Sequence, residues 1–228
     1  MTRLMSSIVS WMLTALIGVA LQAQAPARFD MQVRTDFFAG FAGDQARLAH
    51  AMEVCERALA DNPHHAEALV WHGSGLAFQG GMAIQKGDMQ NGMDLFGRGL
   101  KEMDDAVALE PDNVGVRIPR GAMLFQATRN MPPPMAKPLL DKAVSDYERT
   151  LDVQASYFNT LGDHPKGELL FGLAEGYSRL GQPDKARQYF ERLTHDAPGS
   201  GQTPKAKEWL ATGTLPPSTG LGCVGCHK

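Results

Sequence analysis

The sequence predicts an all-α protein, a curved solenoid of helical hairpins followed by a short C-terminal tail. Three observations carry that expectation. Apolar and small residues recur at helical spacing, in paired segments, across residues 44–200. Gly and Pro punctuate those pairs where a helix must stop. No strand–helix–strand alternation interrupts them. The 228 residues, 43% hydrophobic and 21% charged, suffice for a real core of ordinary composition.

The chain opens MTRLMSSIVSWMLTALIGVALQAQAPARFD. Arg3 supplies a positive start, and Ile8 to Leu21 is a mostly apolar run of 14 residues. Such a run is too short to span a bilayer comfortably. With Ala20, Ala23 and Ala25 behind it, residues 1–23 have the shape of a secretory signal peptide. Cleavage is expected after Ala23, because a cut after Ala25 would leave Pro26 first. An uncleaved anchor is the alternative, and no cysteine near the cut suggests a lipid anchor. The expected location is therefore periplasmic or secreted, with no transmembrane helix after cleavage. Without Arg3 the mature chain has 21 basic and 25 acidic residues, a net charge of −4. That balance, with no basic stripe, excludes nucleic acid as an expected partner. Residues 24–43 form an N-terminal segment to which the pattern assigns no element.

Residues 44–212 carry the helices. Ala51, Cys55, Ala58 and Pro63 fit the second helix of a pair. The next pair begins with Leu69, His72, Gly73 and Leu76, and its second helix comes late, at Gly99, Met103, Ala106 and Pro111. About 14 extra residues, including GGMAIQKGDMQNGMDLFGRG, lie between those two helices. A third pair starts with Arg117, Arg120, Gly121 and Leu124. The stretch NMPPP at 130–134 interrupts it, since no helix crosses such a run. A helix resumes over 135–151, with Ala143 and Tyr147 facing its partner. In the last pair, over 167–200, the first helix shows Leu170, Leu173, Ala174 and Tyr177; Gly181 and Pro183 break it. Ala186, Phe190 and Leu193 mark the second helix, and Pro198 closes it. A final helix, Pro204 to Ala211, is expected to cap the stack. Residues 213–228 form a Pro/Gly-rich polar tail.

The spacing over 167–200 is that of W-x2-L-G-x2-Y…A-x3-F…P. Ala186 is small where paired helices approach, and Phe190 is large where it fills the gap to the next helix. On these residues the chain resembles the tetratricopeptide repeat (TPR) family over about residues 44–200. The resemblance implies about three and a half degenerate repeats and a concave face that holds a peptide or another protein.

The tail ends LGCVGCHK. Of three cysteines, Cys223 and Cys226 stand two apart with His227 adjacent, and Cys55 is alone. Cys-x-x-Cys-His is the attachment signature of c-type haem. The two thiols add to the porphyrin vinyl groups, and the neighbouring imidazole lies under the iron as proximal ligand. Gly222 and Gly225 leave room for the porphyrin edge. The chain is similar to c-type cytochromes over these five residues only. That similarity implies one covalent haem c, held by Cys223 and Cys226 with His227 on the iron, and attached outside the cytoplasm. A thioredoxin-like pair would want a strand and a helix around it, and zinc would want a fourth ligand. Cys55 could be that ligand, but it falls at a packing position and reads as a small buried apolar residue. Only Lys228 follows the motif here, so the haem is expected either to pack on the solenoid or to face a partner.

The second axial ligand is open. His164, in LGDHPKGELL, is placed in a loop near the tail and is the first candidate, with His72 beside it. Met82, Met89 and Met93 are rivals, or else fill gaps in an amphipathic helix. His64 and His65 read as solvated turn residues. His72 and Arg120 both occupy a slot where the repeat pattern wants Leu, which suggests an internal polar site; Arg120 could hold a haem propionate. Simple repeat degeneracy is the alternative. Asp104–Asp105 read as a solvated helix face. No phosphate-cradling glycine loop, nucleophile elbow or zinc-protease motif is present. Two functions remain: a monohaem electron carrier docked by its solenoid, or a non-enzymatic scaffold or assembly protein in which the haem is structural or sensory. A peroxidase-like activity would require an open distal position.

Overall fold

The computed structural model describes residues 28–215; the expected signal segment at 1–23 and the CVGCH motif lie outside them. Nine α-helices run in order among the described residues: α1 (Asp30–Phe41), α2 (Gln45–Asp61), α3 (Ala66–Gln85), α4 (Met89–Leu109), α5 (Val114–Ala127), α6 (Pro133–Gln154), α7 (Asp163–Arg179), α8 (Pro183–Asp196) and α9 (Thr203–Thr212). Consecutive helices pair as hairpins, α1 with α2 through α7 with α8, and α9 lies on α8. The odd helices also touch in succession, α1 to α3 to α5 to α7. Each even helix leans on the odd helix that follows it. The result is a two-layer stack of hairpins in which the odd helices form the continuous layer.

The local causes are readable. Three hairpins turn on a glycine at positive φ: Gly43 at 116°, Gly87 at 90° and Gly181 at 71°. The hairpin of α5 and α6 has none, and turns through a 3-10 segment at Thr128–Asn130 followed by Pro132. The proline run thus marks the hairpin turn itself, and Pro133 opens α6, where its missing N–H costs nothing. Polar caps start the helices after other turns. The Arg47 N–H donates to the Asp44 carboxylate at 3.1 Å, and Gly115 N–H to the Asn113 amide oxygen at 2.7 Å. Replacing the α2 cap by Asp44→Ala is expected to cost about 1 kcal/mol, read as a fall of a few degrees in melting temperature.

Three sequence expectations need revision. Residues 24–43 hold a helix, α1, which completes the first hairpin. Phe37 is fully buried there and stacks on Trp71 of α3 at 5.2 Å, and Phe41 meets Phe78 at 4.8 Å. The extra residues in the second pair do not lie between its helices. They lengthen α3 and α4 to 20 and 21 residues, joined by a short turn at 86–88. His164 is not in a loop either: α7 begins at Asp163, so His164 stands on its first turn. The capping helix lies where expected, one residue longer at each end. Its Trp209 covers Phe190 at 4.8 Å and donates its indole N–H to the Ser178 hydroxyl.

Candidate functional site

His72 on α3 and Arg120 on α5, the two polar residues in Leu slots, face the even helices on both sides of them. The His72 ring is nearly buried. Its Nδ1 lies 2.6 Å from Glu102 Oε2 on α4, and its Nε2 lies 3.7 Å from Glu56 Oε1 on α2. Arg120 repeats the arrangement one hairpin later. Its Nε and one terminal nitrogen donate to the two carboxylate oxygens of Asp146 on α6, each at 2.7 Å. The other terminal nitrogen donates to Asp104 on α4 at 2.8 Å.

The register of the two clusters is the same. Glu102 and Asp146 each precede the packing residue of the second helix of their own hairpin, Met103 and Tyr147. Glu56 and Asp104 each follow the packing residue of the preceding hairpin's second helix, Cys55 and Met103. Each cationic or imidazole side chain is therefore clasped by one carboxylate from its own hairpin and one from the hairpin before. Glu148, which follows Tyr147, reaches the next hairpin as well: the Tyr177 hydroxyl of α7 donates to it. The acid after the packing residue is a recurrent link between hairpins.

The links differ in burial. Asp146 is completely buried and also accepts from Arg117 at 2.8 Å. Burial pushes its carboxyl up, and the Arg120 and Arg117 guanidinium groups beside it pull the other way. Asp104 is half exposed and also takes Lys142 at 2.5 Å. It is a working link, so the reading of Asp104–Asp105 as a solvated face holds only for Asp105, which pairs with Lys101 on the surface. Arg120 directs its donors at two carboxylates of this chain, and those contacts account for the polar slot without any outside acid.

A groove of about 580 Å³ opens beside His72 between α2, α3 and α4, lined by Ala49, Met52, Glu56, Leu76 and Arg98 among others. Cys55 is fully buried on α2. Burial pushes its thiol up, and Glu102 and Glu56 push the same way, so it packs as a protonated, apolar side chain. His164 is 55% exposed, with Nδ1 3.9 Å from Glu168. Met89 and Met93 are exposed on α4 and fill no gap, contrary to the packing expectation for them. His65 is not simply solvated: its Nδ1 accepts the Ala68 N–H at 3.3 Å and its ring packs on Phe29 at 4.8 Å. The structure thus brings His72 to a groove, turns Arg120 into a joint, and leaves His164 on an exposed helix end. Cys223, Cys226 and His227 lie outside the described residues. The acids that clasp His72 and Arg120 escape single-residue reading; their signal is an acid on one side or the other of each packing residue.

Among the described residues, no helix is long and apolar enough to cross a membrane. They hold no cluster of three or more His, Cys, Asp or Glu side chains placed to bind a metal. No protein-family model matches the chain, and no curated protein does. Among solved structures it is similar to a thermophilic TPR protein of Thermus thermophilus, at 18% identity and a TM-score of 0.35, over 80% of this chain and 97% of that one. A likeness of that size carries no weight for fold or function.

Proposed function

We propose that this chain is an exported TPR-type scaffold that docks a protein partner and carries one covalent haem c for electron transfer. The observation that carries the haem is the CVGCH sequence at 223–227 with its export-type leader, two independent features of one chain. Cys223 and Cys226 would hold the porphyrin through thioethers, and His227 would bind the iron. The haem supplies one-electron chemistry; the residues of the chain position it and set what approaches its edge. The partner-binding half of the reading is supported by the stacked hairpins, whose continuous odd-helix layer offers an extended face to a peptide or a redox partner. Expression with haem-attachment machinery, acid–acetone extraction and a pyridine-haemochrome spectrum test the first half. A c-type band is expected to remain with the protein and to vanish in the Cys223→Ala/Cys226→Ala variant. A colourless protein would overturn it.

A second reading, a scaffold in which haem is structural or sensory, is favoured by one feature. The described helices stack hairpin on hairpin from α1 to α9, the arrangement a binding scaffold needs. Partner binding undiminished by deletion of residues 216–228 would select it.

A further inference from the structure

We propose that the groove between α2 and α4 docks an arginine side chain of a partner protein, held between Glu56 and His72. The inference rests on the partner-binding half of the reading above and stands whether or not the tail carries haem.

The groove marks an incomplete joint. Each of the two equivalent joints receives a carboxylate from the hairpin before it, Glu56 at one and Asp104 at the other. Asp104 takes two cations, Arg120 at 2.8 Å and Lys142 of α6. Glu56 takes none. An imidazole is shorter than a guanidinium, and His72 Nε2 stops 3.7 Å from Glu56 Oε1, beyond hydrogen-bond range. Among the described residues the Glu56 carboxylate has no other hydrogen bond or ion pair.

The chemistry of the gap selects what fills it. A carboxylate only accepts, so the 2.6 Å contact with Glu102 fixes the proton of a neutral His72 ring on Nδ1. Nε2 then carries a lone pair. The His72 side chain is 9% exposed and directs that lone pair into the groove, toward Glu56. Two acceptors that face each other both need a donor. One NH2 group of a guanidinium can donate to both at this separation, and its charge neutralises the unpaired carboxylate. The same register one hairpin later shows the fit, because there a guanidinium spans two carboxylates. Glu53, the neighbouring acid on the wall, already pairs with Arg57 and adds less.

The rest of the lining suits the flanks of such a side chain. Met52 and Leu76 offer apolar surface to its methylene stem. The volume of about 580 Å³ holds one long side chain with its neighbours. Arg98, on the opposite wall, makes no ion pair among the described residues, so an acid close to the arginine on the same segment would meet it. The walls are two even helices and the floor is α3, which separates this site from the continuous odd-helix face.

The test titrates the full chain with the blocked peptide acetyl-Ala-Arg-Ala-Glu-amide and follows the His72 ring signals by NMR. A saturable shift at millimolar peptide is expected. Glu56→Gln should weaken binding about tenfold, and Glu53→Gln less than about threefold. Glu56 is 63% exposed, so its variant should keep the helical circular dichroism. Replacing the peptide arginine by glutamine should abolish the shift. No shift, or equal binding by Glu56→Gln or by the glutamine peptide, overturns the proposal. Methylguanidinium bound as tightly as the peptide would assign the groove to a small cation. Self-association that Glu56→Gln abolishes would assign it to a second copy. Either result overturns the docking of a partner. A protein partner that binds Glu56→Gln undiminished overturns this site alone and leaves the scaffold reading standing.

Discussion

Asp146→Ala is expected to destabilise the protein by about 3–5 kcal/mol, because it strips the counter-charge from two guanidinium groups held in the stack. Asp146 is completely buried, and its carboxylate takes both bonds of the Arg120 fork as well as one from Arg117. After the substitution Arg117 keeps the Pro111 carbonyl, but Arg120, 8% exposed, keeps only Asp104. An ion left buried without its partner costs far more than the pair contributes. For a chain of this size the fall in melting temperature should be about 10 °C. Asp104→Ala provides the contrast. That carboxylate is 41% exposed, so its loss should cost no more than about 1 kcal/mol. Thermal melts followed by circular dichroism measure both. A fall of under about 3 °C for Asp146→Ala would show that water reaches Arg120 and that the joint is looser than the structure describes.

The helix pairs were largely legible because their signal is local. Apolar spacing, caps and glycine turns act within one or two turns of helix, and they place α2 and α5 through α9 within a few residues. The polar slot was legible for the same reason, since His72 and Arg120 stand at a position where the repeat pattern wants Leu and the last hairpin carries Leu173. Their partners were not. His72 meets Glu102 across 30 residues, and Arg120 meets Asp146 across 26. Both hairpins are longer than the last one and differ from each other by four residues, so no fixed spacing in the sequence finds both pairs. Helix α1 was missed because adjacent aromatics, Phe37 and Phe38, blur its period. What identifies it is burial against Trp71, a contact 34 positions away in sequence. Long-range partners are set by how hairpins stack, and a single sequence contains that only implicitly.

Gly99→Val is expected to cost about 3 kcal/mol, and the reason ties the long hairpin to the groove. Gly73 and Gly80 on α3 face Gly99 and Gly92 on α4, and the two helices touch through their backbones at both places. A Cβ at Gly99 would lie 2.7 Å from the Ala77 backbone nitrogen and closer still to the Gly73 carbonyl oxygen. Neither atom can rotate away as a side chain could, so the helices must separate. Gly97, two residues earlier on the same helix, has nothing within 4 Å of the same position. Gly97→Ala should therefore raise stability, by up to about 1 kcal/mol, through helix propensity alone. Opposite signs at two glycines of one helix would be a direct reading of backbone contact. Equal signs would mean that α3 and α4 do not approach as described. The wedge has a second consequence, because Gly99 lies one turn before Glu102. Pushing α4 away from α3 lengthens the 2.6 Å bond that orients His72. Gly99→Val should accordingly shift the His72 ring signals in NMR spectra while Gly97→Ala leaves them untouched, which separates the geometry of the hairpin from its stability.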